Sequence, residues 1–553
     1  MISSSRVRHL LPVWAFLASV SVGASCSNSG GAPVTVTVTP APANVLTCST
    51  TQFNAVVLNT TDVAVDWSVM PASGAGTIDI QGNYQAPNAT PAAPNNSVTV
   101  TAQREGNPSQ LDTTPPFTLA TAFPSTASPI TGSTGDLEGG NPAIGVYQHA
   151  AAASGSRVYA AWAVNPDGGT EVKLMVARSD DGGATWSAGV AAIDAQILNG
   201  ETTVGGGIDC PAVAVDAGNP DVVYAIGSVD VYNSITQSVG DATNDPAFVL
   251  AVSTDGGKTF AQTVLSTAFA TLFACEDVSS PAPDTVVVTA PGGTDCGVYP
   301  DIYVWSDPNR GAGFQTGTFD DNHAWWADGL YGSLYILQGP NDCTADLAED
   351  ANGGNGASGQ VIESPRTFTD GRGHLCLAYA AEFQPSPTVE NVYVQCSADA
   401  GKTFAEPVAI DPQLGNDNQP VGAFGPGGLA AVVWTQVLPE TNDQKLYLAV
   451  SADGGGTFGA PIPVPTADLP YSPSVYVDQG GVIWISYMMS DGSQYSLVVD
   501  KTCDNGATFS GALQIQGTTS FGVMAPSLLN TGAPAPILVG LEDTMHVAYS
   551  LSP

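Results

Sequence analysis

Carboxylates are the residues of this sequence with the clearest capacity for chemistry. The chain has 51 Asp and Glu residues, 13 Lys and Arg residues and 5 His residues. Two carboxylates at a suitable separation can hydrolyse a glycosidic bond, and carboxylate oxygens are also the ligands that Ca²⁺ prefers. If the chain is an enzyme, the candidates for catalysis are Asp321, Glu363 and Arg366. Because acids occur throughout the chain, any site must be located through the elements that carry them.

Other catalytic and metal-binding patterns are absent from the sequence. It contains no G-x-S-x-G nucleophile motif and no H-E-x-x-H zinc motif. Gly257-Lys258-Thr259 and Gly401-Lys402-Thr403 resemble the end of a phosphate-binding loop, but neither has the earlier glycine that such a loop requires. No two cysteines have the C-x-x-C spacing, so a structural zinc site is not expected.

The composition excludes nucleic acid as a partner and favours an all-β fold. The formal net charge is −38 and the pI is about 4.1, whereas binding to phosphates requires clusters of Lys and Arg. Only 12% of the residues are charged and 43% are hydrophobic, with 61 Gly and 41 Pro. This balance is typical of a chain of many short strands joined by turns.

Residues 1–26 have the features of a signal peptide. Arg6 and Arg8 precede the apolar stretch Leu10–Val22, which is too short to span a bilayer as a helix. Small residues then lead to Cys26, and this arrangement resembles a bacterial lipoprotein signal. The resemblance implies lipidation of Cys26 and a place in the cell envelope, at the outer membrane or the cell surface, with the lipid as the only contact with a membrane. Cleavage without lipidation, followed by secretion, is the alternative.

The chain has nine cysteines, and eight remain if Cys26 carries a lipid. An even number of cysteines in an exported protein predicts disulfides. Cys376 and Cys396 lie on neighbouring predicted strands and could pair, as could Cys275 and Cys296. The other pairings stay open, since eight cysteines allow 105 connectivities.

A first small β domain is predicted over residues 33–120, after a linker over 27–32. Short stretches alternate between apolar and polar residues at roughly ten-residue spacing, which is typical of a β-sandwich. The order V-x-V-x-P, W-S-V, G-T-I-D, G-x-Y-x-A-P and V-T-V-T-A resembles bacterial immunoglobulin-like domains. The resemblance implies that Trp67 packs between two sheets and that the domain serves as a spacer or an adhesive module.

An eight-residue pattern, S-x-D-x-G-x-T followed by Trp or Phe, recurs through the rest of the chain. Its Asp can accept hydrogen bonds from turn N–H groups, its Gly permits a positive φ, and its aromatic residue can fill space between sheets. We therefore interpret the pattern as a structural turn that connects two strands and stabilises the fold. The aspartates of the four close copies and of one variant are Asp181, Asp255, Asp399, Asp453 and Asp504.

These copies resemble the Asp-box (BNR) repeats of sialidase-like β-propellers. An alternating strand precedes each copy, and a strand that begins with Pro opens each unit. The resemblance implies one closed propeller of six to eight blades over residues 121–553. The last unit shows three strands, so we expect the segment 120–135 to complete it. Ser333–Ile336 is assigned to a further unit, beginning near residue 322, that has no repeat.

The resemblance places the ligand site at the mouth of the channel, just before each unit's first strand. The residues at these positions are mostly acidic. They form either a solvated acidic surface or a site for a cation or a neutral sugar, and Trp326 could stack on a sugar or pack in the core. The candidate ligand-binding residues are Asp209, Asp277, Asp321, His323, Trp326, Glu363, Arg366, Asp417, Asp468 and Tyr471.

The same resemblance raises the possibility of sialidase activity. Family sialidases bind the substrate carboxylate with three arginines and use a Tyr–Glu pair with an Asp acid, which combines bidentate charge recognition with acid catalysis. We expect no such cluster here, because the arginines that follow the signal fall in the first domain, beside repeats, at the start of a second strand, or together in one unit. They are Arg104, Arg157, Arg178, Arg310, Arg366 and Arg372.

The sequence therefore favours an exported, lipid-anchored protein that binds an extracellular glycan or a surface protein. The alternative is a glycoside hydrolase of the sialidase-like class, an exo-α-sialidase, and a third possibility is a purely structural envelope protein. No cofactor is predicted. Ca²⁺ is possible, since a loop between Asn341 and Asn355 carries the carboxylates Asp342, Asp346, Glu349 and Asp350.

Overall fold

The computed structural model describes most of the chain. The described residues are 32–130, 149–164, 173–194, 197–198, 201–202, 204–232, 245–266, 277–291, 302–310, 312, 333–337, 359–361, 366–383, 390–411, 416–438, 443–490, 495–515, 526–542 and 545–552. Within these ranges the regular structure is almost entirely strand, with one 3₁₀ turn at Pro426–Gly428. The described residues contain no helix with the length and hydrophobicity needed to cross a lipid bilayer.

The first domain has ten strands around one core. They are Thr35–Thr39, Asn44–Leu46, Thr50–Gln52, Asn54–Leu58, Val65–Met70, Thr77–Ile78, Asn83–Gln85, Ser97–Arg104, Leu111–Thr113 and Phe117–Ala120. The rings of Phe53, Tyr84 and Phe117 lie 5.6 to 6.1 Å apart and are almost fully buried. Trp67 is partly buried and packs against this cluster.

Apart from a two-stranded sheet of Ile197–Leu198 and Glu201–Thr202, the remaining described strands form a β-propeller with seven antiparallel sheets. In most of these sheets, strands that follow one another in sequence also pair; the exceptions are blade 4, whose first two strands both pair with Leu375–Phe383, and blade 7, whose outermost strand precedes the other blades in the sequence. This count lies within the six to eight blades predicted. The strands of each blade are given in order from the innermost. Blade 1 contains His149–Ser154, Arg157–Val164, Lys173–Ser179 and Val190–Asp194; blade 2 contains Val204–Val215, Val223–Tyr232, Asp245–Ser253 and Ala261–Ser266; and blade 3 contains Asp277–Ala282, Thr285–Pro291, Ile302–Asp307 and Ser333–Leu337.

Blade 4 contains Gly359–Val361 with Arg366–Thr369, then Leu375–Phe383, Glu390–Ser397 and Val408–Ala409; blade 5 contains Asn416–Phe424, Ala430–Val437, Gln444–Ser451 and Ile462–Val464; blade 6 contains Leu469–Val477, Ile483–Ser490, Tyr495–Thr502 and Leu513–Gln514; and blade 7 contains Ser527–Leu529, Ile537–Glu542, Met545–Ser550 and Ser128–Pro129.

The seven blades close into a ring. The first strand of each blade lies beside the first strand of the next, and that of blade 7 lies beside that of blade 1. Ser128–Pro129 pairs with the third strand of blade 7, which completes that blade from the N-terminal side, as expected. Apolar clusters fill the spaces between successive sheets, for example between blades 1 and 2 and between blades 5 and 6.

One strand assignment made from the sequence is wrong. Ser333–Leu337 does not open a separate unit but pairs with Ile302–Asp307 as the outermost strand of blade 3. The repeat unit expected near residue 322 therefore contributes its strand to blade 3. The residues between 313 and 332 lie outside the described part of the chain.

Candidate functional site

The two edges of the sheets carry different kinds of polar residue. We call the edge at which the first and third strands of every blade begin the mouth edge, and the opposite edge the box edge. Each S-x-D-x-G-x-T turn follows the third strand of its blade, at Ser179, Ser253, Ser397, Ser451 and Thr502, and so lies at the box edge. We call these five segments the box turns.

All five box turns share one hydrogen-bond network. In the turn of blade 1, the Ser179 hydroxyl donates to Asp181 Oδ1 at 2.8 Å and accepts the N–H of Gly183. The Asp181 carboxylate also accepts the N–H of Thr185 at 2.8 Å and its hydroxyl at 2.6 Å. The same bonds recur at Asp255, Asp399, Asp453 and Asp504, where Thr502 replaces the serine of the last copy.

This network fixes the charge state of the box aspartates. The hydrogen bond from Thr457, together with that from Ser451, lowers the pKa of Asp453 to about 2. The corresponding bonds from Thr259 hold the pKa of Asp255 far below its usual range. These carboxylates are therefore ionised acceptors at neutral pH and have no proton to donate to a substrate.

The box glycine is required for contact between blades as well as for its positive φ. A Cβ on Gly455 would lie 2.6 Å from Cys396 Sγ of the preceding blade, and one on Gly257 would lie 3.1 Å from the Tyr159 ring. The aromatic residue of each turn packs in the same direction, so that Phe260 lies against blade 1. The glycine and the aromatic residue of a box turn thus contact the preceding blade, while the carboxylate network fixes the turn that holds them in place.

Asp277, one of the predicted mouth residues, is also used between blades. It begins the first strand of blade 3, and its Oδ2 accepts the N–H of Thr367 at 2.7 Å and the Thr367 hydroxyl at 2.8 Å. Thr367 lies on the first strand of blade 4. Similar bonds join blades 5 and 6, where Gln419 accepts the N–H of Ser472 at 2.7 Å.

Asp468 and Tyr471 both lie near the start of the first strand of blade 6, at the mouth edge. Asp468 is exposed just before the first strand, and Tyr471 is partly buried within it. The Tyr471 ring meets that of Tyr495 edge to face, with centroids 6.3 Å apart. Tyr495 begins the third strand of the same blade. Tyr495 was not among the predicted site residues, which were chosen from the positions before first strands. Its place at the start of an alternating strand was a signal that could have identified it.

The other predicted ligand residues are described only in part. Arg366 begins the inner strand of blade 4 and is partly buried. Asp209 and Asp417 lie on the first strands of blades 2 and 5, where the backbone alone is described. Cys26 and four site residues lie outside the described part of the chain, namely Asp321, His323, Trp326 and Glu363.

Most arginines are bound at the box edge. Arg157 donates to Asp180 and to Asp221, and Arg178 donates to Asp180 at 2.7 Å and to the carbonyl of Gly256 at 3.0 Å. Arg310 donates to Asp284 at 2.7 Å, and Arg372 lies in the exposed turn between the first and second strands of blade 4. Arg104 pairs with Asp62 in the first domain.

Every Lys and Arg that follows residue 26 lies among the described residues, so the cations can be placed completely. Arg366 is the one cation on a first strand of the propeller. Two lysines reach the mouth edge on third strands, where Lys173 pairs with Asp194 at 3.3 Å and Lys445 is exposed. Lys258 and Lys402 belong to box turns, and Lys501 is buried.

The described cysteines confirm disulfide formation. Cys376 and Cys396 face each other on paired strands of blade 4 and are bonded, as predicted. Cys48 of the first domain is bonded to Cys503 of the blade-6 box turn, a pairing that the sequence left open. The proposed pair Cys275 and Cys296 lies outside the described residues. In the part of the chain that the structure describes, no three His, Cys, Asp or Glu side chains converge as metal ligands.

Comparisons with known proteins give structural similarity alone. No family model and no curated protein matches the chain. Among solved structures, the GH93 alpha-L-arabinofuranosidase of Fusarium graminearum with arabinobiose is 15% identical, with a TM-score of 0.38, over 62% of this chain and 93% of its own. A PL25 ulvan lyase is 9% identical with a TM-score of 0.45 over 77% and 96% of the two chains, and the NanB sialidase from Streptococcus pneumoniae is 12% identical with 0.38 over 76% and 70%. At these values the likenesses assign no reaction or ligand to this chain.

Proposed function

We propose that this protein is an exported, lipid-anchored binding protein whose propeller holds an extracellular glycan at the mouth edge, and that this glycan is neutral. In this proposal Cys26 carries the lipid, residues 33–120 form an immunoglobulin-like domain, and the box turns are Asp-box repeats. The observation that supports a neutral ligand is where the Lys and Arg side chains lie in the propeller. Arg366 is the one positive charge that a first strand contributes, in a chain whose formal net charge is −38.

The charge distribution disfavours an anionic sugar. Tight recognition of a carboxylate uses several arginines in bidentate geometry, and here Arg157, Arg178 and Arg310 are already bound to aspartates at the opposite edge. Since the field of the whole molecule is negative, it would repel a sialate. These two facts count against the alternative of an exo-α-sialidase.

The blade-6 mouth edge offers groups that suit a neutral sugar. The partly exposed Tyr471 and Tyr495 rings can contact the apolar face of a sugar ring. The exposed Asp468 carboxylate can accept hydrogen bonds from sugar hydroxyls. Sites of this kind combine apolar and aromatic surface with a few polar groups that set the orientation of the ligand.

The test is a glycan array probed with the purified mature protein, beside a fluorogenic sialoside assay. We expect binding to one or more neutral glycans, weaker binding to sialylated forms of the same glycans, and no turnover of the sialoside. Tyr471→Ala should reduce binding by about tenfold, since loss of a ring contact in a binding site removes about 1 kcal/mol or more.

Tyr476→Ala is the matched control, because Tyr476 lies on the same strand nearer the box edge. It should leave glycan affinity unchanged. Preference for sialylated glycans, or turnover of the sialoside, would contradict the proposal. Binding to an extracellular protein with no binding to any glycan would favour the alternative partner that the sequence left open.

A further inference from the structure

The first domain is attached to the propeller at two places that are far apart in the sequence. Its last strand ends at Ala120, and the chain continues directly into Ser128–Pro129, the outermost strand of blade 7. Its second strand, Asn44–Leu46, pairs with that last strand and is followed by Cys48, which is bonded to Cys503 in the box turn of blade 6 across a sequence separation of 455 residues. This arrangement differs from that of a spacer on a flexible linker.

The blade-6 box turn makes an extensive polar contact with the first domain. Ser510 accepts the N–H of Thr90 through its carbonyl at 2.9 Å, and its hydroxyl donates to the Asn88 carbonyl at 2.6 Å. The Thr121 hydroxyl donates to the carbonyl of Gly511 at 2.8 Å. The Thr47 hydroxyl lies 3.0 Å from that of Ser510, and this contact is buried.

Apolar contact accompanies these bonds. Leu46 and Ala122 are buried in the cluster that lies between blades 6 and 7, which also contains Trp484, Leu538 and Leu551. The first domain therefore covers the seam between the last two blades. Its polar partners lie in the blade-6 box turn, at Cys503 and Asp504, or just after it, at Ser510 and Gly511. The first domain is therefore bound to the box edge, and the mouth edge faces the other way.

The strand that closes the ring is short. Ser128–Pro129 pairs with two residues of the third strand of blade 7, and a proline has no N–H to donate to such a pair. The residues just before it add backbone bonds to the C-terminal end of the chain, from Phe123 to Leu551 and from Ser125 to Ser550. The Ser550 N–H also donates to Ser125 Oγ at 3.1 Å, and the Ser128 hydroxyl donates to the Ala184 carbonyl at 2.7 Å. These contacts of the closing segment 123–129 are all with the end of blade 7 and with the box turn of blade 1.

We propose that the first domain is a clasp that holds the ring of blades closed. The clasp consists of Thr47, Cys48, Asn88, Thr90 and Thr121, bound to the box turn of blade 6. Because the closing segment follows Thr121 directly, fixing Thr121 on blade 6 places that segment against blade 7. The disulfide adds to this by restricting the separation of the two chain ends in any open state. This function does not depend on which ligand the mouth edge binds.

The test compares hydrogen exchange of backbone amides in the full-length mature protein and in Cys48→Ala/Cys503→Ala. We expect amides of 123–129 and 545–552 to exchange about tenfold faster or more, since the closing segment then opens without unfolding the rest. Amides of blades 2 and 3 should keep their rates. Cys376→Ala/Cys396→Ala is the matched control, because it removes a disulfide within blade 4 and should leave segment 123–129 unchanged.

A second variant keeps the disulfide and tests the clasp by another route. Thr121→Val removes the hydroxyl bond to Gly511 while keeping the size of the side chain, and it should also accelerate exchange at 123–129 and 545–552. Thr118→Val, at an exposed position on the strand that ends just before Thr121, should not. The proposal is overturned if neither the double cysteine variant nor Thr121→Val changes exchange in these segments, in which case the first domain is a passive attachment.

Discussion

The box edge and the mouth edge of the propeller use acidic residues in different ways. At the box edge the same carboxylate network is built five times, and arginines of blades 1 and 3 are bound to further aspartates. At the mouth edge Asp277 is used between blades while Asp468 is exposed, and no two of the described blades carry the same set of polar residues. Acidic residues that recur in the same network from blade to blade therefore stabilise the fold. A ligand site is to be expected where the polar residues differ between blades.

The largest expected effect concerns the contact between a box glycine and the preceding blade. Gly455→Ala adds a Cβ where Cys396 Sγ is only 2.6 Å away, at a φ of +92°. The left-handed backbone costs an alanine about 1–2 kcal/mol, and forcing atoms into a packed seam costs about 1–3 kcal/mol more. We expect a loss of about 3 kcal/mol, measured as a shift in the denaturant midpoint.

Gly454→Ala is the matched control for this effect. Gly454 also has a positive φ, of +78°, but a Cβ there meets no atom within 4 Å. The Gly454→Ala variant should lose only about 1–2 kcal/mol of stability, which is the cost of the left-handed backbone for an alanine. If the two variants lose equal stability, the box glycine serves the turn alone and the proposed joint between blades is wrong.

A second prediction compares two aspartates of blades 5 and 6 near the same edge. Burial raises the pKa of Asp500 to about 6, and one of its oxygens has no hydrogen-bond partner among the described residues. Because the folded state binds this proton more tightly than the unfolded state, stability should fall as the pH rises from about 4 to about 6. The shift corresponds to about 3 kcal/mol.

Asp500→Asn should remove this penalty. The variant should be more stable than the parent at pH 7.5, and the difference should vanish near pH 4. Asp453→Asn should show the opposite sign, since its pKa of about 2 means that the ionised form stabilises the fold at neutral pH and that this stabilisation is lost as the pH falls through about 2. Thermal midpoints measured from about pH 2 to pH 7.5 check both. A lower midpoint for Asp500→Asn at pH 7.5 would mean that its carboxylate is needed for packing.

The box edge was predictable from the sequence and the mouth edge was not, for a physical reason. The bonds of a box turn join residues two to four positions apart, as between Asp181 and Thr185, so their spacing is visible in the chain. The Cys48–Cys503 pair and the bonds that Asp277 accepts from Thr367 depend on how distant segments meet. Ser333–Leu337 was misassigned because the long segment before it hides its pairing with blade 3.

A third prediction separates structural from ligand-binding acids at the mouth edge. Asp277→Ala removes both acceptor bonds to Thr367 and should lower stability by about 2 kcal/mol, with little change in glycan affinity. Asp468→Ala removes an exposed carboxylate and should leave the unfolding midpoint unchanged while weakening glycan binding. Denaturant unfolding and glycan titration of both variants test this. The opposite pattern would make Asp277 a ligand residue and Asp468 an ordinary surface acid.

The smallest expected effect is at the arginines of the box edge. Arg157→Gln/Arg178→Gln removes the ion pairs with Asp180 and Asp221, which are partly exposed and open to screening by salt. Such pairs contribute about 0–1 kcal/mol each, so the double variant should lose little stability, and less at high salt. Glycan affinity at the mouth edge should stay the same, because these arginines lie at the other edge of the sheets. A large loss of glycan binding at unchanged stability would mean that cations of the two edges act together, and would remove the basis for expecting a neutral ligand.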